Sequence, residues 1–505
     1  MSAKKHILLI EPYSKIERGL IPPYSLLALA RMFKDTEFEV TVIDCHLTQD
    51  FWPLIEEKLD ETVIVGVTSL SGLQPAEGAR LCAELKKRKP SLKTCWGGFH
   101  ASLYPEQTLR SPVVDFVING QGEHPFYELV HILFAGAEGR LEDIPGLYFK
   151  RDGEVIKGQG AKSWDINTLP PYPLEMVDFE SYVVKGGKTR AVQFITSKGC
   201  PFPCTFCCIP FTDTYKRFSP MDAMTVADAV EGMVRDYNVN YFKFYDDNYW
   251  GRPRRPLKIA TEFIRRGLNI KYLAEARADS MSKLSDANME LLVESGMDAI
   301  MVGAETGSER LLKEIKKKIS VDQIIQTAEI CAKYGVTPMF SFITCFPGET
   351  PEDSRETGRL IRKLYKINPM TTIGLHAYNP YYTSPGALRD LKERDPNFFV
   401  PETLEDWGRL QEGQFLGEDF DMTVGERRVQ LQGWYLSFMT KALSESLINR
   451  VHNPDYSSFR VPLYQGVYQV ARALFSVDSP RLMIPVGYAA RFINKYVRYY
   501  TKFSV

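Results

Sequence analysis

The chain is expected to fold as two α/β units in series followed by a mostly helical region, and three observations predict this. Short apolar, β-branched runs alternate with helical stretches over residues 5–135 and again over 189–380. The strand ends in both stretches carry small or polar residues, as the ligand-facing ends of α/β sheets do. At the first strand end of the second stretch, Cys200, Cys204 and Cys207 stand at C-x3-C-x2-C spacing in Ser197-Lys-Gly-Cys-Pro-Phe-Pro-Cys-Thr-Phe-Cys-Cys208.

Residues 1–140 read as a Rossmann-like domain with a doubly wound parallel sheet. Strands are expected over 7–10, 39–43, 63–67, 93–96 and 116–118. A helix over 22–33 presents Leu26, Leu27, Leu29 and Ala30 to the core, and another runs over 76–87. Three strands end in small-residue turns, Thr68-Ser-Leu-Ser-Gly, Gly97-Gly-Phe-His-Ala and Gly120-Gln-Gly-Glu-His. Such turns let a ligand come close to the backbone at the carboxyl end of the sheet. Residues 141–188 read as a hairpin and a proline-stiffened linker through Leu169-Pro-Pro-Tyr-Pro.

From 189 to 385 the alternation predicts a partial (β/α)6 TIM barrel, with strands starting near 191, 241, 272, 299, 337 and 372. Residues 386–505 are expected to be helical, with an amphipathic segment over 429–438 and a basic, aromatic-rich stretch after 450. Such a stretch suits peripheral contact with an anionic membrane, and equally a plain docking helix.

Three cysteine thiolates fill three corners of a four-iron cluster and leave the fourth iron open to a small molecule. Zinc normally takes a fourth protein ligand and paired C-x2-C spacings, and no second pair is present. Buried structural thiols are the other alternative, and that is the reading given to Cys208. Gly199, Pro201 and Pro203 stiffen the loop and let its backbone pass near a cluster.

Bulk properties fit an enzyme of a reducing, cytoplasmic compartment. The 505 residues suffice for two or three cores, and nine cysteines without a disulfide rhythm suggest free thiols. A net charge of -1 argues against a nucleic-acid partner. No run of about 18 apolar residues predicts a spanning helix, and the first residues do not read as a signal peptide.

The C-x3-C-x-aromatic-C motif after a strand, with Phe206 as the aromatic, resembles the radical S-adenosylmethionine (SAM) superfamily. The order of strand ends before it resembles the cobalamin-binding domain of that superfamily's B12-dependent branch. This resemblance implies a [4Fe-4S] cluster on Cys200, Cys204 and Cys207, with SAM chelating the open iron and splitting to a 5′-deoxyadenosyl radical. It further implies that SAM meets Phe206, Asp246, Asp247, Arg277, Glu305 and Cys345, with Glu305 on the ribose and Arg277 on the carboxylate. Cobalamin would lie along Ser69, Gly97, Gly98, Gly120 and Gly122. Cys345 stands where the family often has Gly. Glu305 can also be read as a cap for the helix that follows it. Asp44-Cys-His46-Leu-Thr-Gln lacks the Gly of the corrinoid motif D-x-H-x-x-G, so a corrin without a histidine below cobalt is favoured.

The expected activity is a B12-dependent radical SAM methyltransferase acting on an unactivated carbon of an apolar small molecule, tetrapyrrole or lipid-like, with a flavodoxin- or ferredoxin-type electron donor. An oxidative cyclase or rearrangement enzyme is the alternative with the same cofactors. A non-catalytic corrinoid or iron-sulfur sensor is the alternative of another class.

Overall fold

A computed structural model describes residues 5–409, apart from 15–20, 49, 135–138, 381–383, 395 and 397. The expected amphipathic segment over 429–438 and the basic, aromatic-rich stretch lie outside the described residues. Those described fall into two compact units, one of 5–184, 191–239 and 379–409, the other of 185–190 and 240–378.

In the first unit, β1 (Lys5–Glu11), β2 (Phe38–Asp44), β3 (Thr62–Thr68), β4 (Lys93–Gly97) and β5 (Phe116–Ile118) form a parallel sheet in the order β2-β1-β3-β4-β5. Near-continuous apolar strands suit a parallel sheet covered on both faces. One face is packed by Leu8, Ile10, Val65, Val67 and Trp96, the other by Ile7, Leu9, Ile64 and Phe126. The order reverses at β1, so the carboxyl ends of β1 and β3 flank the position where such sheets bind ligands. Gln74 spans that gap, accepting from the Leu70 N–H (2.8 Å) and donating to the Pro12 carbonyl (3.0 Å).

The hairpin of β6 (Leu147–Arg151) and β7 (Glu154–Lys157) adds antiparallel to β5 and extends this sheet to seven strands. Part of the expected linker is therefore sheet edge, because the paired strands place Leu147 and Phe149 in the core. The helix Leu404–Arg409 also belongs here. Trp407 is fully buried against His100 and Tyr104, its indole N–H donates to Gln107 (2.9 Å), and Gly408 lies against Ala76.

The second unit is a parallel sheet of β12 (Tyr241–Phe244), β13 (Lys271–Ala276), β14 (Met297–Glu305), β15 (Thr337–Thr344) and β16 (Thr372–Ala377), paired in chain order. Between β7 and β12 the chain also forms β8 (Val184–Gly186), β9 (Thr189–Phe194), β10 (Ser197–Lys198) and β11 (Ser219–Pro220). Residues 185–190 join the β12 end of this unit, where the Arg190 N–H donates to the Asn240 side chain (2.8 Å). Helices between the strands bury apolar faces such as Ile259, Ala260 and Phe263, and Ile361 and Leu364. Two of them start with reciprocal capping boxes, Ser320 with Gln323 and Thr350 with Asp353. Among the described residues, no helix is long and apolar enough to cross a membrane.

Candidate active site

The cysteine loop belongs to the first unit. β10 pairs antiparallel with β11, closing residues 199–218 at their base. Gly199 has φ +83°, and a Cβ there would strike the carbonyls of Arg217 and Tyr215, so only glycine fits. Immediately afterwards, the Cys200 N–H donates to the Tyr215 carbonyl (2.9 Å). The Cys207 N–H donates to the Cys204 carbonyl (3.3 Å), making a tight turn of the C-x2-C segment. Cys204 is buried, and Cys200, Cys207 and Cys208 are half-buried.

Among the described residues, no three His, Cys, Asp or Glu side chains gather as ligands of a single ion would. Cubane ligands each bind a different iron, and three cysteines spaced along one stiffened loop suit that arrangement. Phe206 sits half-buried in the same loop.

The five expected cobalamin contacts lie just after strands of the first sheet or at their ends. Ser69, Gly97 and Gly98 touch one another: the Ser69 N–H donates to the Gly97 carbonyl (3.1 Å), and Gly98, at φ +89°, has no room for a Cβ beside Ser69. Gly120, at φ +93°, packs against Thr214, and Gly122 against Leu29. At Gly98 and Gly120 the lack of a side chain thus serves packing within the protein. His46 is engaged on both nitrogens: Nδ1 lies 2.8 Å from Asp44, and Nε2 accepts from the Ser14 N–H (3.0 Å). Burial works against its charge, but Asp44 prevails and raises its pKa.

In the second unit, the carboxyl ends of β12 to β15 surround a cavity of about 250 Å³. Glu305, Glu275, Asp247, Arg277 and Lys317 line it together with Asn248 and Gly303. A register shift in β14 between Gly303 and Glu305 re-aims the strand end, and Glu305 takes φ +62°. Its carboxylate accepts from Lys317 Nζ at 2.5 Å, both side chains being buried. A Cβ on Gly303 would collide with this pair. Glu305 is no helix cap, because Ser308 caps the next helix by accepting from the Leu311 N–H (3.3 Å).

Lys317 enters from a loop in which its neighbours Lys316 and Lys318 both adopt positive φ, 54° and 57°. Non-glycine residues held there cost about 1–3 kcal/mol each. Arg277 holds that loop: its guanidinium donates to the Lys317 carbonyl (2.7 Å) and to Asp279 (3.0 Å). Glu275 is pushed up to about 8 by burial and by the negative charges of Asp247 and Asp246, against the pull of Lys317.

Of the other expected SAM contacts in this unit, Arg277 lines the cavity and Asp246 and Cys345 do not. Asp246 follows the buried alternation of Phe242 and Phe244 and meets Arg255 (3.7 Å) instead of lining the cavity. Cys345 does not line it either; it has φ +65°, which accounts for glycine being common at such a position. Burial and the charge of Glu349 push its thiol up to about 12. Arg277 lines the cavity while donating to the Lys317 carbonyl, and Lys317 Nζ faces Glu305.

Residues 194–361 match the family model of the radical SAM superfamily, and residues 18–130 match that of the B12 binding domain. The chain therefore carries a B12-binding domain and a radical SAM domain. It is 28% identical over 375 residues to an uncharacterised methyltransferase of Pyrococcus horikoshii, across 72% of this chain and 79% of the other. It is 25% identical over 384 residues to the anaerobic magnesium-protoporphyrin IX monomethyl ester cyclase of Synechocystis sp., across 74% and 73%. In fold it is similar to the radical SAM methyltransferase TsrM of Kitasatospora setae, solved with cobalamin and a [4Fe-4S] cluster. The TM-score is 0.66 at 17% identity, across 93% of this chain and 100% of that one.

Lys317 and Glu275 also line the cavity and were not among the expected contacts. Both had a signal: Lys317 lies in a run of three lysines shortly after the Glu305 strand end, and Glu275 is a lone carboxylate amid the apolar Tyr272-Leu-Ala-Glu-Ala strand.

Proposed function

We propose that the chain is a cobalamin-dependent radical SAM methyltransferase that methylates an unactivated carbon of an apolar small molecule, tetrapyrrole or lipid-like, in a biosynthetic pathway. The observation that carries this reading is the presence in one chain of a B12-binding domain and, within a radical SAM domain, three cysteines at C-x3-C-x2-C spacing. Cys200, Cys204 and Cys207 would hold a [4Fe-4S] cluster, and Ser69, Gly97 and Gly98 the edge of cobalamin. Glu305 would accept the ribose hydroxyls of SAM, Asp247 its ammonium, and Lys317 its carboxylate. When bound, these groups supply a hydrogen-abstracting radical and a transferable methyl group, with electrons from a flavodoxin- or ferredoxin-type donor. The protein's part is to bind, orient and exclude water.

A second reading, an oxidative cyclase with the same cofactors, draws support from the cyclase relative that matches 74% of the chain. Anaerobically reconstituted protein, methyl-labelled SAM and a reductant should be incubated with a porphyrin ester and, separately, a polycyclic lipid. Label in the product supports methyl transfer. An unlabelled, ring-closed product favours the cyclase, and absence of SAM cleavage with an intact cluster overturns both.

A further inference from the structure

We infer that the turn 119–123 at the end of β5 is a clamp that positions the metal-binding loop, with Glu123 as its charged member. The proposal rests on the function above only in taking Cys200, Cys204 and Cys207 as the ligands. One short turn meets both limbs of the loop. On the entering limb, Lys198 Nζ donates to Glu123 Oε1 at 2.8 Å, two residues before Cys200. On the returning limb, Asn119 Nδ2 donates to Asp213 at 3.0 Å, and Gly120 leaves the space that the Thr214 side chain fills.

The turn itself is held from several sides. The Asn119 N–H donates to the Gly146 carbonyl (2.9 Å) and the Gly120 N–H to Ser102 Oγ (3.0 Å). Gln121 accepts from the Trp164 N–H (2.6 Å). Arg31 donates to the same Glu123 oxygen as Lys198 (3.0 Å), while its guanidinium lies over the Tyr172 ring. Arg31 and Glu123 are each 3% exposed. Taking two cations and one carboxylate out of water adds little net stability, so what such a group supplies is a defined geometry. The loop's position against the sheet is thereby fixed before any metal arrives.

The test uses the full chain, first without metal, by hydrogen exchange over residues 197–217. In K198M, Glu123 keeps Arg31 as a partner, so the core stays paired while one limb is released. Exchange over 197–217 should quicken about tenfold or more, as loss of one charged hydrogen bond implies, and exchange over 62–118 should not change. K198R should restore protection, which a general loss of stability would not allow. N119A should loosen the returning limb in the same way. After reconstitution, K198M should hold half the wild-type iron or less and show an altered electron paramagnetic resonance spectrum. Wild-type exchange over 197–217 in both K198M and N119A would overturn the clamp. Should wild-type protein take up no cluster, the assigned function fails, and the metal-free exchange data still decide the clamp.

Discussion

Lys317 points its ammonium at Glu305 across 2.5 Å, and the space for the pair exists because residue 303 is glycine. The ion pair occupies the wall where a ribose and a carboxylate are expected together. Removing Lys317 strips the cavity of that cation and leaves a buried carboxylate unpaired. K317M should weaken SAM binding about 10-fold to 100-fold, the cost of one charged hydrogen bond. K317R should retain part of it. Equilibrium binding to the reconstituted protein measures both.

Glu275 sets a pH dependence. Its carboxyl is held at about 8 against an ordinary 4.5, so the folded protein keeps a proton that the unfolded chain releases. The stability this supplies is complete below about 4.5 and disappears as pH rises through 8, with a slope of at most about 1.4 kcal/mol per unit. Glu349, raised to about 7 mainly by burial, acts in the same direction. In urea titrations of metal-free protein, E275Q should flatten the fall in stability between pH 5 and 8. An unchanged slope would show that Glu275 is ionised in the folded state.

His46 tests the lower face of the corrinoid. Its Nε2 already accepts the Ser14 N–H and its Nδ1 is bound to Asp44, so both nitrogens are spent. H46A should bind cobalamin as tightly as wild type and leave the absorption and cobalt(II) paramagnetic resonance spectra unchanged. Loss of nitrogen hyperfine coupling in the variant would identify His46 as a ligand after all.

Cys345 sits at φ +65°, where a Cβ is penalised by roughly 1 kcal/mol. C345G should therefore keep or raise the melting temperature and retain SAM cleavage. C345V, β-branched at the same φ, should lose about 1–3 kcal/mol. A thiol needed for chemistry would instead show as loss of turnover in C345G at unchanged stability.

Much of this was legible in the residue order. The five parallel strands of the first sheet fall on the apolar runs around residues 7–10, 39–43, 63–67, 93–96 and 116–118, because fully covered strands are apolar throughout. The β6–β7 hairpin was readable as a hairpin; its pairing with β5 was not, since an edge partner is chosen by tertiary contact. Of the residues that the family resemblance implies, Glu305, Asp247 and Arg277 line the cavity. Lys317 escaped because it comes from a loop whose path depends on two residues at positive φ and on a distant guanidinium. Asp246 and Asp247 looked equivalent as a pair, yet strand alternation buries one beside Arg255 and leaves the other on the cavity.

Trp407 carries a consequence for how this chain can be divided. The segment after β16 returns to the first unit, where its indole seals the helix that bears His100. A gene fragment ending at Tyr378 would thus encode both sheets and still expose a raw apolar scar on the amino-terminal one. Evolutionary or laboratory shuffling of the two units has to carry this late stretch along with the early one, although Gln107 and Trp407 stand 300 residues apart in order of synthesis.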